Sequence, residues 1–388
     1  MHLCMKNVVK LIFLVVTIAA CQSRPTDVLD ADDVNSGAIE FDRAEVKFAE
    51  GFTLYYGNNY KWISVKRPYP GAVGPVNYLL LPYGVTAPDS VAASQVIRIP
   101  VTRLVSTSTT HLPALDMLKE SEALLGFANI DYISSPLQLQ RAKAGKLTDI
   151  GRQQGLNMEK LIALAPQLVM TYSMGAADES VQSLKRGGLS IVLNADFLES
   201  SPLGRAEWIK FTAAFFNKEK EADSIFNSIE KEYNRLKAKV EHKNERPSVF
   251  SGVVYGDTWY VPGGQSWAAR FLQDAGASYL WADTETAGSV PTSFEEVYAR
   301  ASDADYWVNA ADYQSLTALK NADERYTNFL AWQKGAVYTY TNQQNEAGAN
   351  AYLELGYARP DIVLADLIAI LHPEILPDYE LYFYKKLE

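Results

Sequence analysis

Cysteine is nearly absent from this chain of 388 residues: Cys4 and Cys21 are the only two. A disulfide framework or a cysteine-rich metal cage has nothing to build on. Histidine is almost as scarce. Beyond residue 20 only His111, His242 and His372 remain, and a bare zinc or manganese site normally draws on a denser ligand set, so no metal-ligating residue is assigned. Positive charge is in deficit, with 36 Lys and Arg against 46 Asp and Glu. Without the first 20 residues the balance is 34 to 46, a net charge of -12. A surface that acidic repels phosphate backbones, which excludes nucleic acid as a partner. What is abundant is apolar and aromatic: 48% hydrophobic residues suit one or two domains with real cores, and 23 Tyr, 15 Phe and 7 Trp are available for packing or for stacking on a ligand.

The N-terminal apolar run, Leu11 to Ala20, is too short to span a bilayer comfortably, follows Lys6 and Lys10, and ends in small residues. Residues 1–20 read as an export signal. Ile18-Ala19-Ala20-Cys21 resembles a bacterial lipobox, whose Cys is acylated after cleavage. Cys21 is therefore the expected lipidation site, since Cys4 would leave with the signal. Residues 21–47, polar and acidic at their start, are expected to form a flexible tether to a membrane in the cell envelope.

Asn217 to Lys243 reads as one uninterrupted helix. Ala222, Ile225, Phe226, Ile229, Tyr233, Leu236 and Val240 recur at spacings of three and four, with Asn217 as the expected cap and Pro247 beyond the end. On either side, strand-like and helix-like segments alternate. The first half adds a β-rich stretch, Phe52 to Val101, with a hairpin turning at Gly57–Asn59. A helix is expected over Leu112 to Leu124. The reading is an α/β protein of two Rossmann-like lobes, 48–216 with the β addition and 244–388, joined by the helix 217–243.

Two segments match across the halves. Asn157-Met158-Glu159 and Ser293-Phe294-Glu295 each offer a capping residue and a Glu in the first helical turn, then return as an apolar strand. Taken singly, each Glu stabilises a helix end; taken together, they suggest two anionic prongs. Asn157 to Val169, NMEKLIALAPQLV, resembles the N-L-E-x-I-x-A-L-x-P-D-L-V signature of the class III substrate-binding proteins of ABC importers. These are receptors for iron-siderophores, haem and cobalamin. Glu295 to Arg300 is similar to the second-lobe counterpart, and Asp361 to Asp366 to the terminal helix. The resemblance implies a monomeric receptor, not an enzyme, that hands its ligand to a transmembrane permease and its ATPase. By the match, Glu159 and Glu295 inherit the docking role against arginine pockets of that permease.

The cleft candidates are residues on loops after strands: His111, Tyr132 and Tyr172 in the first lobe, and Tyr255, Trp259, Tyr260 and Trp267 in the second. Their rings suit a ferric siderophore, haem or a cobalamin, and Arg359 suits an anionic ligand. Each ring has a core role as its alternative. His111 is placed either as a haem axial ligand or as a polar contact at a helix start. Cobalamin receptors tend to carry tryptophans shortly before each docking Glu, where this chain has Gln153 and Pro291-Thr292. No catalytic residue or cofactor is assigned. Two alternatives remain: a serine hydrolase built on Ser266, Asp361 and His372, whose Gly264–Ala268 stretch is a weak match to the nucleophile elbow, and a membrane-anchored sensor or carrier that works without a transporter.

Overall fold

The computed structural model describes residues 42–57, 59–92 and 95–388. The signal segment, Cys21, the tether as far as residue 41 and Asn58 of the expected turn lie outside them. Two five-stranded sheets organise the chain. In the first lobe the order is Ile191–Leu193, Leu168–Thr171, Leu104–Ser106, Leu124–Phe127 and Thr148–Asp149, every neighbouring pair parallel. In the second it is Ser278–Tyr279, Ser248–Ser251, Tyr306–Val308, Val337–Thr339 and Lys385–Lys386, parallel except for the last pair. In the first sheet Leu104–Ser106, Leu168–Thr171 and Ile191–Leu193 are short, largely apolar runs with every residue buried, as a parallel sheet covered on both faces requires. Strand order reverses beside the first strand of each sheet, which creates a switch point in each lobe.

The N-terminal addition is a third sheet, running Asp42–Arg43, Phe52–Tyr56, Lys61–Val65, Val76–Pro82 and Val96–Ile99. Its alternating residues serve two cores. Phe52, Leu54, Ile63 and Leu80 face the first lobe, while Trp62, Leu79 and Leu81 face outward under Val85, Ala87 and Val91. Residues 42–47, assigned to the tether in the sequence, pair with and bond to the first lobe. Asp42 and Arg43 pair with Tyr56 and Tyr55, and the backbone N–H groups of Lys47, Phe48 and Ala49 donate to the buried Glu207 carboxylate at 2.7–2.9 Å.

The long helix spans Glu219–Val240, with Ala222, Phe226, Ile229, Tyr233, Leu236 and Val240 buried as the spacing predicts. This stripe packs on Pro202–Ala214 from the first lobe and Pro360–Leu371 from the second. Asn217 does not cap it. Its φ of 58° turns the chain, and its Oδ1 accepts from Lys61, leaving Lys218 at the cap position. The helix expected over Leu112–Leu124 stops at Met117, because Lys119 adopts a left-handed φ of 62° and the chain resumes as the strand Leu124–Phe127. The helix Ala351–Ala358 has no counterpart in the sequence reading.

Glu207 is inaccessible to solvent and holds three backbone donors and the Lys210 ammonium at 2.9 Å. Glu207→Ala would orphan the three backbone donors, while Lys210 keeps the Glu45 carbonyl at 2.8 Å, a loss expected to cost about 3–5 kcal/mol. The expected result is a lower urea midpoint at unchanged slope.

Candidate functional site

The carboxyl ends of the two parallel sheets face each other. Ile133 to Ser135 follow the strand Leu124–Phe127, and Asn345 follows Val337–Thr339. Asn345 Nδ2 donates to the Ile133 carbonyl at 3.4 Å, and the Ser134 and Ser135 N–H groups donate to Glu354 at 2.8 and 2.9 Å. Farther along the seam the Arg205 guanidinium lies over the Trp267–Tyr357 pair, 4.5 and 4.3 Å from ring centres that are themselves 5.1 Å apart. These contacts lie at the carboxyl ends of the sheets, the face on which open α/β sheets bind ligands.

At the first-lobe switch point Thr107 Oγ1 and Thr171 Oγ1 share a 2.7 Å hydrogen bond. Tyr172 follows directly, edge-on to Phe197, and lines an open hollow of about 380 Å³ with Gln153, Met174 and Asp178. Burial and, secondarily, the Asp178 charge raise its phenol pKa. Tyr132 is exposed on the turn after the neighbouring strand. His111 does not join them. It is 1% exposed, its Nδ1 is bonded to Ser106 Oγ at 3.0 Å, and burial drives its pKa to about 3, so the ring is neutral. Its Nε2 has no protein partner among the described residues, and the ring borders a small cavity of about 20 Å³ with Asn194, Asp196 and Arg205, space for about one water molecule. The axial-ligand expectation for His111 is therefore corrected: the helix starting at Leu112 turns it inward.

In the second lobe the strands Val254–Tyr255, Thr258–Pro262 and Ser289–Thr292 form a small antiparallel sheet beside the switch point. Tyr255 is 82% and Tyr260 46% exposed. Trp259 is fully buried among Phe250, Trp307, Tyr326 and Phe329, with its Nε1 donating to the Ser251 carbonyl at 3.0 Å. Adjacent strand residues point to opposite faces, so Trp259 and Tyr260 cannot both line a cleft. Trp267 is also a correction: it is buried in the seam against Phe271, Tyr352 and Tyr357. Arg359 pairs with Asp361 at 2.7 Å and faces a groove along the long helix with Ile225 and Glu232, not the carboxyl ends of the sheets.

The two matching segments fold as expected. Asn157 accepts from the Lys160 N–H and Ser293 forms a capping box with Glu296, leaving Glu159 and Glu295 exposed in first turns. They differ in their surroundings. Glu295 sits 3.3 Å from Arg325, which is bonded to Asp323 and stacks on Phe294, whereas Glu159 has no ion-pair partner among the described residues. The hydrolase triad is not assembled. Ser266 caps its helix by accepting from the Ala269 N–H, Asp361 is held by Arg359, and His372 lies against Gly276 at the other end of that helix. Sequence reasoning missed Asp196, Arg205, Asn345 and Glu354. Only Glu354 left a trace, as the one charge in the apolar run Ala351–Ala358.

A model of the periplasmic binding protein family matches residues 104–344. An uncharacterized lipoprotein of Methanocaldococcus jannaschii is 30% identical over 302 residues, 75% of this chain and 70% of its own. Among solved structures, a periplasmic haem-binding protein of Pseudomonas aeruginosa superposes with a TM-score of 0.56 at 18% identity, covering 74% of this chain and 98% of its own. The periplasmic vitamin B12-binding protein of Vibrio cholerae gives 0.51 at 15%, covering 72% and 99%. At these identities the superpositions establish the fold.

His111 and the buried carboxyls pull stability in opposite directions with pH. Unfolding frees His111 to bind a proton below about pH 6.5, so its burial makes stability rise with pH between about 3 and 6.5. Burial raises Asp196 to about 6 and Glu354 to about 7, and for these stability falls as pH rises from the ordinary carboxylate range to those values. His111→Gln is expected to weaken the rising limb, of which His372, also lowered by burial, retains a part, so that melting temperatures tilt downward relative to the parent's between about pH 4.5 and 7; a profile parallel to the parent's would rule out a buried neutral His111.

Proposed function

Because this chain belongs to the periplasmic binding protein family, whose members bind solutes and are not enzymes, we propose that it captures a ferric siderophore, haem or a cobalamin between its lobes and delivers it to an ABC importer. The observation that carries this reading is the meeting of the two sheets' carboxyl ends across the Ile133–Ser135, Asn345 and Glu354 contacts. The haem and vitamin B12 receptors that share the fold support the choice of a large conjugated metal chelate. Tyr132 and Tyr172 on one lobe and Tyr255 and Tyr260 on the other are the side chains proposed to stack on it. A haem iron would take its axial ligand from one of these tyrosines, since His111 is turned away.

Delivery is proposed to use Glu159 and Glu295. Each stands exposed at a helix start, one per lobe, so two basic pockets at a fixed separation would recognise the spacing set by the lobes. Cys21 is proposed to carry the lipid that keeps the protein in the cell envelope, a reading supported by the lipoprotein relative. Monomeric action is expected, with one receptor per permease.

Calorimetric titration of the purified protein with ferric siderophores, haem and cobalamins is expected to give saturable one-to-one binding of one chelate, returned chemically unchanged. No binding across the panel would remove this cargo class. Glu159→Arg or Glu295→Arg is expected to abolish uptake in cells while changing ligand affinity less than about twofold, the pattern of a lost rim charge outside the pocket. A large loss of affinity in the purified variants would place these residues in the binding site instead.

A further inference from the structure

Among the described residues, Glu354 is the only carboxylate that crosses the seam to bind backbone of the other lobe at an end of a sheet. It projects from the second-lobe helix Ala351–Ala358, is 2% exposed, and accepts from the Ser134 and Ser135 N–H groups at the start of the first-lobe helix Pro136–Lys143. Beside it, Asp116 accepts from the hydroxyls of Ser121 and Ser135 at 2.6 Å and from Gln138 Nε2 at 2.5 Å. Two carboxylates thus meet where the lobes touch, and the hollow of about 390 Å³ they border, walled by Pro113, Met117, Leu137, Leu355 and Tyr382, is lined by no Lys, Arg or His among the described residues.

The charges on the other packed elements have other partners: Arg141, on the helix whose start Glu354 meets, donates to Gln138 Oε1 and the Leu124 carbonyl and lies 3.7 Å from Glu122. Arg205 donates to the Glu199 and Phe197 carbonyls, Arg359 pairs with Asp361, and Asp366 accepts from the Tyr382, Phe383 and Tyr384 N–H groups. His111 is neutral and bonded to Ser106, and Glu207 is neutralised by Lys210. Closing the seam therefore moves the Glu354 carboxyl out of water, next to a second carboxylate, without a countercharge. Hydrogen bonds from two N–H groups favour the anion, but they do not offset its desolvation.

We propose that Glu354 is a proton-linked latch between the lobes, holding the seam more firmly when protonated and loosening it when ionised. The direction follows from linkage. In an opened seam the carboxyl is solvated and titrates near its ordinary value of about 4.5, whereas in the closed seam burial, with a contribution from Asp116, raises it to about 7. Protons thus bind the closed form more tightly, and closure weakens as pH rises between those limits by up to about tenfold per unit. The inference needs the two-lobe architecture but not the identity of the cargo, and it applies to the ligand-free protein.

Hydrogen exchange at the Ser134 and Ser135 amides reads the latch directly, because their N–H groups are bonded to Glu354 only when the seam is closed. In the full-length protein, protection relative to the unfolded chain is expected to fall by at least about tenfold between pH 5 and 7.5. Glu354→Gln, which keeps the shape and loses the titration, is expected to hold protection constant over that range. Asp116→Asn, which removes the neighbouring charge, is expected to move the midpoint to lower pH, and it supplies the test if the Gln variant folds poorly. Protection independent of pH in the parent, or the same pH dependence in both variants, would overturn the latch while leaving the chelate-receptor reading untouched.

Discussion

The architecture depends on one stripe of side chains shared by both lobes. Ala222, Phe226, Ile229, Tyr233, Leu236 and Val240 pack at once on Pro202–Ala214 and on Pro360–Leu371, so the helix Glu219–Val240 is part of both cores. The helix it meets in the first lobe is itself buried on almost every side, with Arg205 as its single less buried residue. A displacement of one lobe would have to open apolar contacts that each cost tens of calories per square ångström. Relative motion is thereby confined to small adjustments at the far side of the seam, where the contacts are polar.

Carboxylates do much of the fastening in this acidic chain, and they do it by collecting backbone donors. Glu207 and Glu199 between them hold the N–H groups of residues 47–51. Asp366 does the same for Tyr382, Phe383 and Tyr384 near the other end of the chain. Each anion fixes a segment that has no regular partner of its own, at the cost of being buried. Glu354 uses the same chemistry across the lobes. The deficit of lysine and arginine explains why these anions rely on N–H groups, because the one buried ammonium nearby, Lys210, is already shared with Glu207.

Much of this was legible in the sequence because it rests on periodicity. The stripe of the long helix, the buried strands at 168–171 and 306–308, and the capped helices that present Glu159 and Glu295 all follow from local spacing. The first-lobe ligand candidates divided according to tertiary contacts that spacing does not encode. Tyr172 remains at an open hollow, whereas His111, equally close to a strand end, is folded under the following helix. Sequence could separate Trp259 from Tyr260, since neighbours in a strand take opposite faces, but which of the two is buried follows from the packing of Trp259 on Phe250, Trp307 and Phe329. Arg359 and Trp267 were not decidable from sequence, because their positions follow from the helix Ala351–Ala358, whose nearly uniform apolar character hides its period.

The contact between Arg205 and Trp267 has an optical meaning. Trp267 is one of seven tryptophans, and its indole lies under a guanidinium carried by the opposite lobe. Trp259 and Trp307, by contrast, sit wholly inside the second lobe and see the same neighbours whatever the seam does. A cation over an indole face perturbs the emitting ring, and that perturbation vanishes when the charge withdraws. The molecule therefore carries its own gauge of lobe separation, in a spectral band where most of its other indoles provide a constant background.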